Sequence, residues 1–71
     1  MYKAIDSNGN IFARGKTLEK LNERCIKRLL THDDPTEATL ELYRREDFFD
    51  TYLGQYSGAW DANDELELVR T

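Results

Sequence analysis

Two side chains in this sequence carry the intrinsic reactivity for nucleophilic chemistry, the thiol of Cys25 and the imidazole of His32, and each residue type occurs once. A cysteine nucleophile needs an imidazole within hydrogen-bond reach. Seven residues apart on one helix, the two would be separated by roughly 10 Å of axial rise, so they cannot cooperate. The expectation is instead that Cys25 is a small core residue and that His32 sits at the helix end, near the negative pole of its dipole. One Cys and one His also fall short of the four ligands that structural zinc takes. No catalytic residue, metal or cofactor is expected.

The acidic run Asp61-Ala62-Asn63-Asp64-Glu65-Leu66-Glu67 has oxygen-bearing side chains at the first, third and fifth positions of a calcium loop. That loop requires Gly at its sixth position and a bidentate Glu at its twelfth. Leu66 stands at the sixth, and the twelfth lies past Thr71, so a hairpin turn with solvated acids is expected. The glycines at 9, 15, 54 and 58 are scattered at turn-like positions, not gathered into a phosphate-binding loop. Carboxylates are plentiful, yet acid–base work needs a partly dry cleft to shift their pKa values, and a chain of this length has little interior from which to form one. A contact function is therefore expected in place of an enzymatic one.

Three groups of residues are candidates for contact. The first is basic: Lys16, Lys20, Arg24, Lys27 and Arg28 share an arc roughly 120° wide on a helical wheel, and Lys20/Arg24 and Arg24/Arg28 are like-charge i,i+4 pairs that cost about 0.2–0.5 kcal/mol each. Glu23 with Lys27 is the one obvious compensating pair. An anionic partner, nucleic acid included, would explain the stripe; so would a solvated face, or neutralisation by the chain's own acids. The second group is acidic: Glu41, Asp50, Asp61, Asp64, Glu65 and Glu67 could imitate nucleic-acid phosphates before a basic protein, or simply maintain solubility. The third is aromatic: Tyr43, Tyr52, Tyr56 and Trp60 are common types of interface anchor. Against that, Trp60 with Phe49 and Tyr52 could close the core.

The elements that would position these groups follow from local pattern. Tyr2, Ile5, Ile11 and Phe12 flank Asp6-Ser7-Asn8-Gly9-Asn10, and Asn-Gly accepts the positive φ of a tight hairpin. Thr17 offers an N-cap, and Leu18 to Leu30 follow with helical periodicity, placing Leu18, Leu21, Cys25, Ile26 and Leu29 on one face. Ala38, Leu40 and Leu42 alternate with Thr39, Glu41 and Tyr43 as in a half-buried strand. A helix starting at Asp34-Pro35 and running to Leu53 is the competing arrangement for residues 36–46. Asp47 then caps a short helical turn with Phe48, Phe49, Tyr52 and Leu53 on one face, closed by Gly54. Gln55 to Trp60 and Glu65 to Arg70 form a second hairpin, with Leu66 and Leu68 inward. The predicted fold is a small α+β domain over residues 1–71, with four to five antiparallel strands in the order ββαβ(α)ββ and one amphipathic helix packed across the sheet.

Composition sets the frame. Apolar residues make up 39% of the chain, too many for a disordered tail, and a lone cysteine cannot staple it, leaving a small core or a shared one in a homodimer. Residues 1–32 carry seven Lys/Arg against three acids, whereas residues 33–71 carry three Arg against eleven acids. A dipolar surface follows, which bears on partners and association rates. Met1 to Asp6 enters directly into an alternating pattern, and no apolar run suits a signal peptide or a membrane span, so a cytoplasmic protein is expected. In general build, the chain is similar to small host-takeover or defence-inhibitor proteins of bacteriophages and mobile elements, anti-CRISPR-type proteins among them. That similarity implies a protein-binding inhibitor or modulator acting on a basic nucleic-acid-binding or defence protein. The alternatives are a nucleic-acid-binding accessory protein using the basic helix face and a structural subunit of a larger assembly.

Overall fold

A single aspartate organises each of the two tight turns, and the turns are built alike. In the computed structural model, which describes residues 1–71, Asp6 Oδ1 accepts hydrogen bonds from the Asn8 and Asn10 amides (3.0 and 2.9 Å), while the Gly9 amide donates to the Asp6 carbonyl. Asp61 Oδ1 likewise accepts from the Asn63 and Glu65 amides (2.8 and 3.0 Å), and the Asp64 amide donates to the Asp61 carbonyl. The fourth residue of each turn has positive φ, +82° at Gly9 and +60° at Asp64. The first turn joins β1 (Tyr2–Ile5) to β2 (Ile11–Gly15); the second joins β4 (Asp50–Trp60) to β5 (Leu66–Arg70).

Between the hairpins lie α1 (Leu18–Leu29) and β3 (Thr39–Arg45). Thr17 caps the helix, its hydroxyl accepting from the Lys20 amide at 3.1 Å, and Glu19 lies in the first turn against the positive end of the dipole. Residues 39–45 form the strand and not the competing helix. All five strands are antiparallel, in the order β2-β1-β3-β4-β5. The helix crosses one face of this sheet, giving the small α+β fold that the patterns predict. Ala4, Phe12, Leu21, Cys25, Leu29, Leu40, Leu42 and Leu66 form the core beneath it. Ile26 and Ala38 pack against its margin, while Leu18 is largely exposed.

Glycine sets how closely the layers approach. A Cβ on Gly15 would lie 2.5 Å from the Leu21 backbone nitrogen, so only glycine admits the first turn of α1 this near to β2. The helix packs most closely on β2 and reaches across the same face to β1 and β5, while the Pro35 carbonyl covers β4 at Gly58.

Two expectations are corrected. Residues 47–53 make no helical turn; β4 is one strand of 11 residues from Asp50 to Trp60, and residues 46–49 are the tip of the β3–β4 hairpin, closed by the Glu46 amide donating to the Phe49 carbonyl (2.7 Å). A register shift between Leu42 and Tyr43, opposite Leu53, breaks the alternation along β4, which is why its side chains imitate helical spacing. Gly54, read as a helix stop, sits within that irregularity at φ +129°, and the Arg70 side chain occupies the space a Cβ would need. The second correction concerns the core: Phe49, Tyr52 and Trp60 are 63%, 52% and 50% exposed and do not close it.

Candidate functional site

Strand alternation and register divide the candidate residues among three places. Lys3, Tyr43 and Tyr52 are successive cross-strand partners on β1, β3 and β4, and they occupy the sheet face that the helix leaves open. Glu41, Asp50 and Glu67 share that face by the same registers. Tyr56 lies on the opposite, helix-covered face, as does Trp60, the partner of buried Leu66. Asp61, Asp64 and Glu65 belong to the β4–β5 turn.

The open-face group is tightly connected. The Tyr43 and Tyr52 rings meet at 5.4 Å between centroids, within the range in which tilted aromatic pairs attract. The Tyr43 hydroxyl donates to Glu41 Oε2 (3.2 Å), and Lys3 Nζ stands 5.9 Å from the Tyr43 ring centre. Lys3 Nζ also contacts Asp50 Oδ2 at 2.8 Å, and Arg45 Nη1 lies 3.5 Å from Asp50 Oδ1. The hydrogen bond from Lys3 holds the Asp50 carboxyl below its ordinary pKa. Desolvation, and then the neighbouring Glu41 carboxylate, raise that of the Tyr43 phenol.

Beyond this face projects a feature that a helical turn over residues 47–53 would hide. Phe48 is 93% exposed, and with Phe49 it forms the tip of the β3–β4 hairpin. The tip is braced from behind: Glu46 Oε1 accepts from Arg44 Nε (2.8 Å) and the Thr51 hydroxyl (3.2 Å), tying the two strands together. Two adjacent phenylalanines held in water on a braced turn run against the cost of exposing apolar surface, about 1.5–3 kcal/mol for each side chain left unburied. The signal in the sequence was Phe48-Phe49 in the short gap between two strand patterns, where a hairpin tip must point outward.

The basic stripe has a structural task. Arg24 Nη1 donates to the Arg14 carbonyl (2.8 Å) and Arg28 Nη1 to the Phe12 carbonyl (2.7 Å). Those carbonyls line the outer edge of β2, the first strand of the sheet. Four helical residues rise roughly 6 Å and two strand residues roughly 6.7 Å, so the i,i+4 arginines match successive edge carbonyls. Arg28 also lies 4.6 Å above the Phe12 ring. Glu23 pairs with Lys20 at 3.4 Å and not with Lys27. Lys16, Lys20 and Lys27 remain on the solvent side.

Topology turns the asymmetry along the chain into one between the ends of the sheet. Lys3, Arg14, Arg44 and Arg45 lie at the end where β1 begins, together with Lys16 before the helix and the Phe48–Phe49 tip, where Glu46, Asp47 and Asp50 offset part of their charge and leave a smaller positive excess. At the other end gather Asp6, Asp61, Asp64 and Glu65 from the two turns and Asp33, Asp34 and Glu37 from the α1–β3 connection. Asp6, Asp34 and Asp61 there accept bonds from the backbone of their own turns; those of Thr36, from its hydroxyl and then its amide, lower the Asp34 pKa.

Cys25 is buried, and burial pushes its thiol up to about 11. His32 lies exposed, its ring against Phe12 at 5.7 Å. No three His, Cys, Asp or Glu side chains gather as a ligand set for a metal ion, and no helix is long and apolar enough to cross a membrane. Comparison with protein-family models, with curated proteins and with solved structures finds no match.

Proposed function

We propose that this chain is a non-catalytic protein that binds and modulates another protein, anchored by Phe48 and Phe49 and supported by Tyr52 and Tyr43 on the adjoining open face. The observation that carries this is the exposure of Phe48 on a tip braced by Glu46. A side chain with no role inside its own fold, carried on a turn whose flanking strands are tied together by Glu46, presents its whole apolar surface to a partner's cavity with little backbone ordering to be lost on binding. Aromatic anchors of this kind supply most of the energy of an interface.

The acidic end adds a second element. Carboxylates from two turns and one connection converge there from sequence-distant positions, which supports long-range attraction to a basic surface such as that of a nucleic-acid-binding protein. In this reading the acids raise the rate of encounter and the aromatic tip holds the complex. Direct nucleic-acid binding through the helix is the weaker alternative, since Arg24 and Arg28 are occupied with β2 carbonyls. A single unpaired cysteine, buried in the core, fits a reducing compartment such as the cytoplasm.

A photo-crosslinking amino acid placed at position 48, with a second chain carrying it at position 20, tests the reading in cells. Position 48 should yield a discrete covalent protein adduct that position 20 does not, and Phe48→Ser with Phe49→Ser should abolish capture of the same protein while leaving the amide spectrum folded. Equal labelling from both positions, or none from position 48, would refute it.

A further inference from the structure

The two edges of the sheet are treated differently. On β2 the outward carbonyls of Phe12 and Arg14 are closed by Arg28 and Arg24. On β5 the inward residues are identified by the Thr71 amide donating to the Gln55 carbonyl and the Asp61 amide donating to the Glu65 carbonyl, both 2.9 Å. Antiparallel alternation then turns the N–H and C=O groups of Leu66, Leu68 and Arg70 away from β4. No side chain or backbone group of the chain bonds to them. An edge left in this state is a template for one more strand.

A cavity of about 310 Å³ adjoins this edge on the helix-covered face, lined by Leu18, Glu19, Asn22, Leu42, Tyr56 and Leu68. It lies between the N-terminal half of α1 and the inner faces of β3, β4 and β5. It runs from the helix across the sheet to β5. Added strands gain affinity from main-chain hydrogen bonds and selectivity from cavities that take alternate side chains, and here both elements lie side by side at Leu68. The open face of the same edge carries the exposed carboxylates of Glu65 and Glu67.

We infer that the outer edge of β5 docks an extended segment of another protein in which apolar side chains alternate with Lys or Arg. The apolar positions turn to the helix side, where one enters the cavity beside Leu68, and the basic positions meet Glu65 and Glu67 on the open face. The charge pattern selects against a second copy of this chain. With Leu68 opposite Leu68, antiparallel self-pairing sets each Glu67 against Val69, and centred on Val69 it sets Glu67 against Thr71, so neither brings a cation to it; centred on Glu67, it opposes the two Glu67 carboxylates, a destabilising like-charge contact. This surface is separate from the aromatic tip, and its test is independent of the function proposed above.

The probe is a capped heptapeptide of alternating valine and lysine, titrated into the isotope-labelled full chain while amide resonances are followed. The Leu66, Leu68 and Arg70 amides should shift saturably and exchange at least tenfold more slowly, with the β2 edge unaffected. A glutamate-for-lysine peptide should bind at least fivefold more weakly, an N-methylated one not at all, and Glu67→Lys should reverse the charge preference. Phe48→Ser with Phe49→Ser should leave every shift in place. The inference is overturned if the three amides stay unmoved at millimolar peptide, if shifts appear only at the aromatic tip, or if Glu67→Lys keeps the lysine preference. It is equally overturned if the free chain is a dimer with these amides already protected.

Discussion

Replacing Arg28 with Met keeps the helical stem and removes the guanidinium, which separates the structural task of the basic stripe from a role in binding. Arg28 makes one charge-assisted hydrogen bond, to the Phe12 carbonyl at 2.7 Å, and one contact with the Phe12 ring at 4.6 Å. A hydrogen bond to a charged group contributes about 1.5–3 kcal/mol, and the lower end applies because the guanidinium is partly exposed. The ring contact adds about 0.5–1 kcal/mol. Relief of the Arg24/Arg28 repulsion returns about 0.2–0.5 kcal/mol. The net loss is about 2 kcal/mol, a large share of the 3–5 kcal/mol that a single core of this size supplies. At about 4–8 °C per kcal/mol, thermal unfolding followed by circular dichroism should shift down by roughly 8–16 °C. Arg24→Met, which breaks one exposed bond, should cost about half as much. Lys27→Met, with no partner to lose, should stay within about 0.5 kcal/mol. If Arg28→Met and Lys27→Met prove equal, the closure of the β2 edge by arginine is wrong and the stripe needs a binding explanation.

Three further outcomes follow from the geometry. Asp64→Gly should raise stability by about 0.5–1 kcal/mol in chemical unfolding, because it supplies at φ +60° the residue that the matching first turn already uses as Gly9; a loss would show that the Asp64 side chain matters more than its backbone. Gly15→Ala should lower stability by about 1–3 kcal/mol, since its Cβ would sit 2.5 Å from the Leu21 nitrogen and displace α1; an unchanged urea midpoint would show that the helix yields freely. For Asp50, whose folded pKa lies below 3.8, the stabilising contribution is present above that value and disappears as pH falls through the folded pKa. The stability gap between the natural chain and Asp50→Asn should therefore close on acidification below about pH 4, and a gap constant to pH 2 would contradict the Lys3–Asp50 pairing.

Much of the fold was legible because its signals are local. Asn8-Gly9 marks a positive-φ turn, Thr17 caps a helix, and the alternation through Leu40 and Leu42 writes a strand whichever neighbours it later finds. The error at residues 47–53 is local too. A bulge at Leu53, opposite Leu42 and Tyr43, breaks the alternation within β4, and with Phe49 of the preceding tip Tyr52 and Leu53 fall at helical spacing along the chain. The consequence falls on the candidate site, since a helical face would pack Phe48 and Phe49 inward, whereas on the hairpin tip they are the most exposed aromatics of the chain. Of the contact residues the sequence nominated, Glu41, Tyr43, Asp50 and Tyr52 do come together, but Tyr56 turns to the other face, a separation that only register decides.

By itself, then, the sequence determined the two turns, the capped amphipathic helix, the apolar positions of most strands and the charge imbalance along the chain, each a matter of neighbours within a few residues. The tertiary structure alone decided the strand order β2-β1-β3-β4-β5, and with it which edge the arginines close and which edge stays free. It also turned an imbalance between halves of the chain into one between ends of the sheet. Strand order depends on which distant strands meet, and residue spacing carries no direct record of that. The free energy that chooses among pairings comes from burying Leu21, Cys25 and Leu29 of α1 against Leu40 and its neighbours on the sheet.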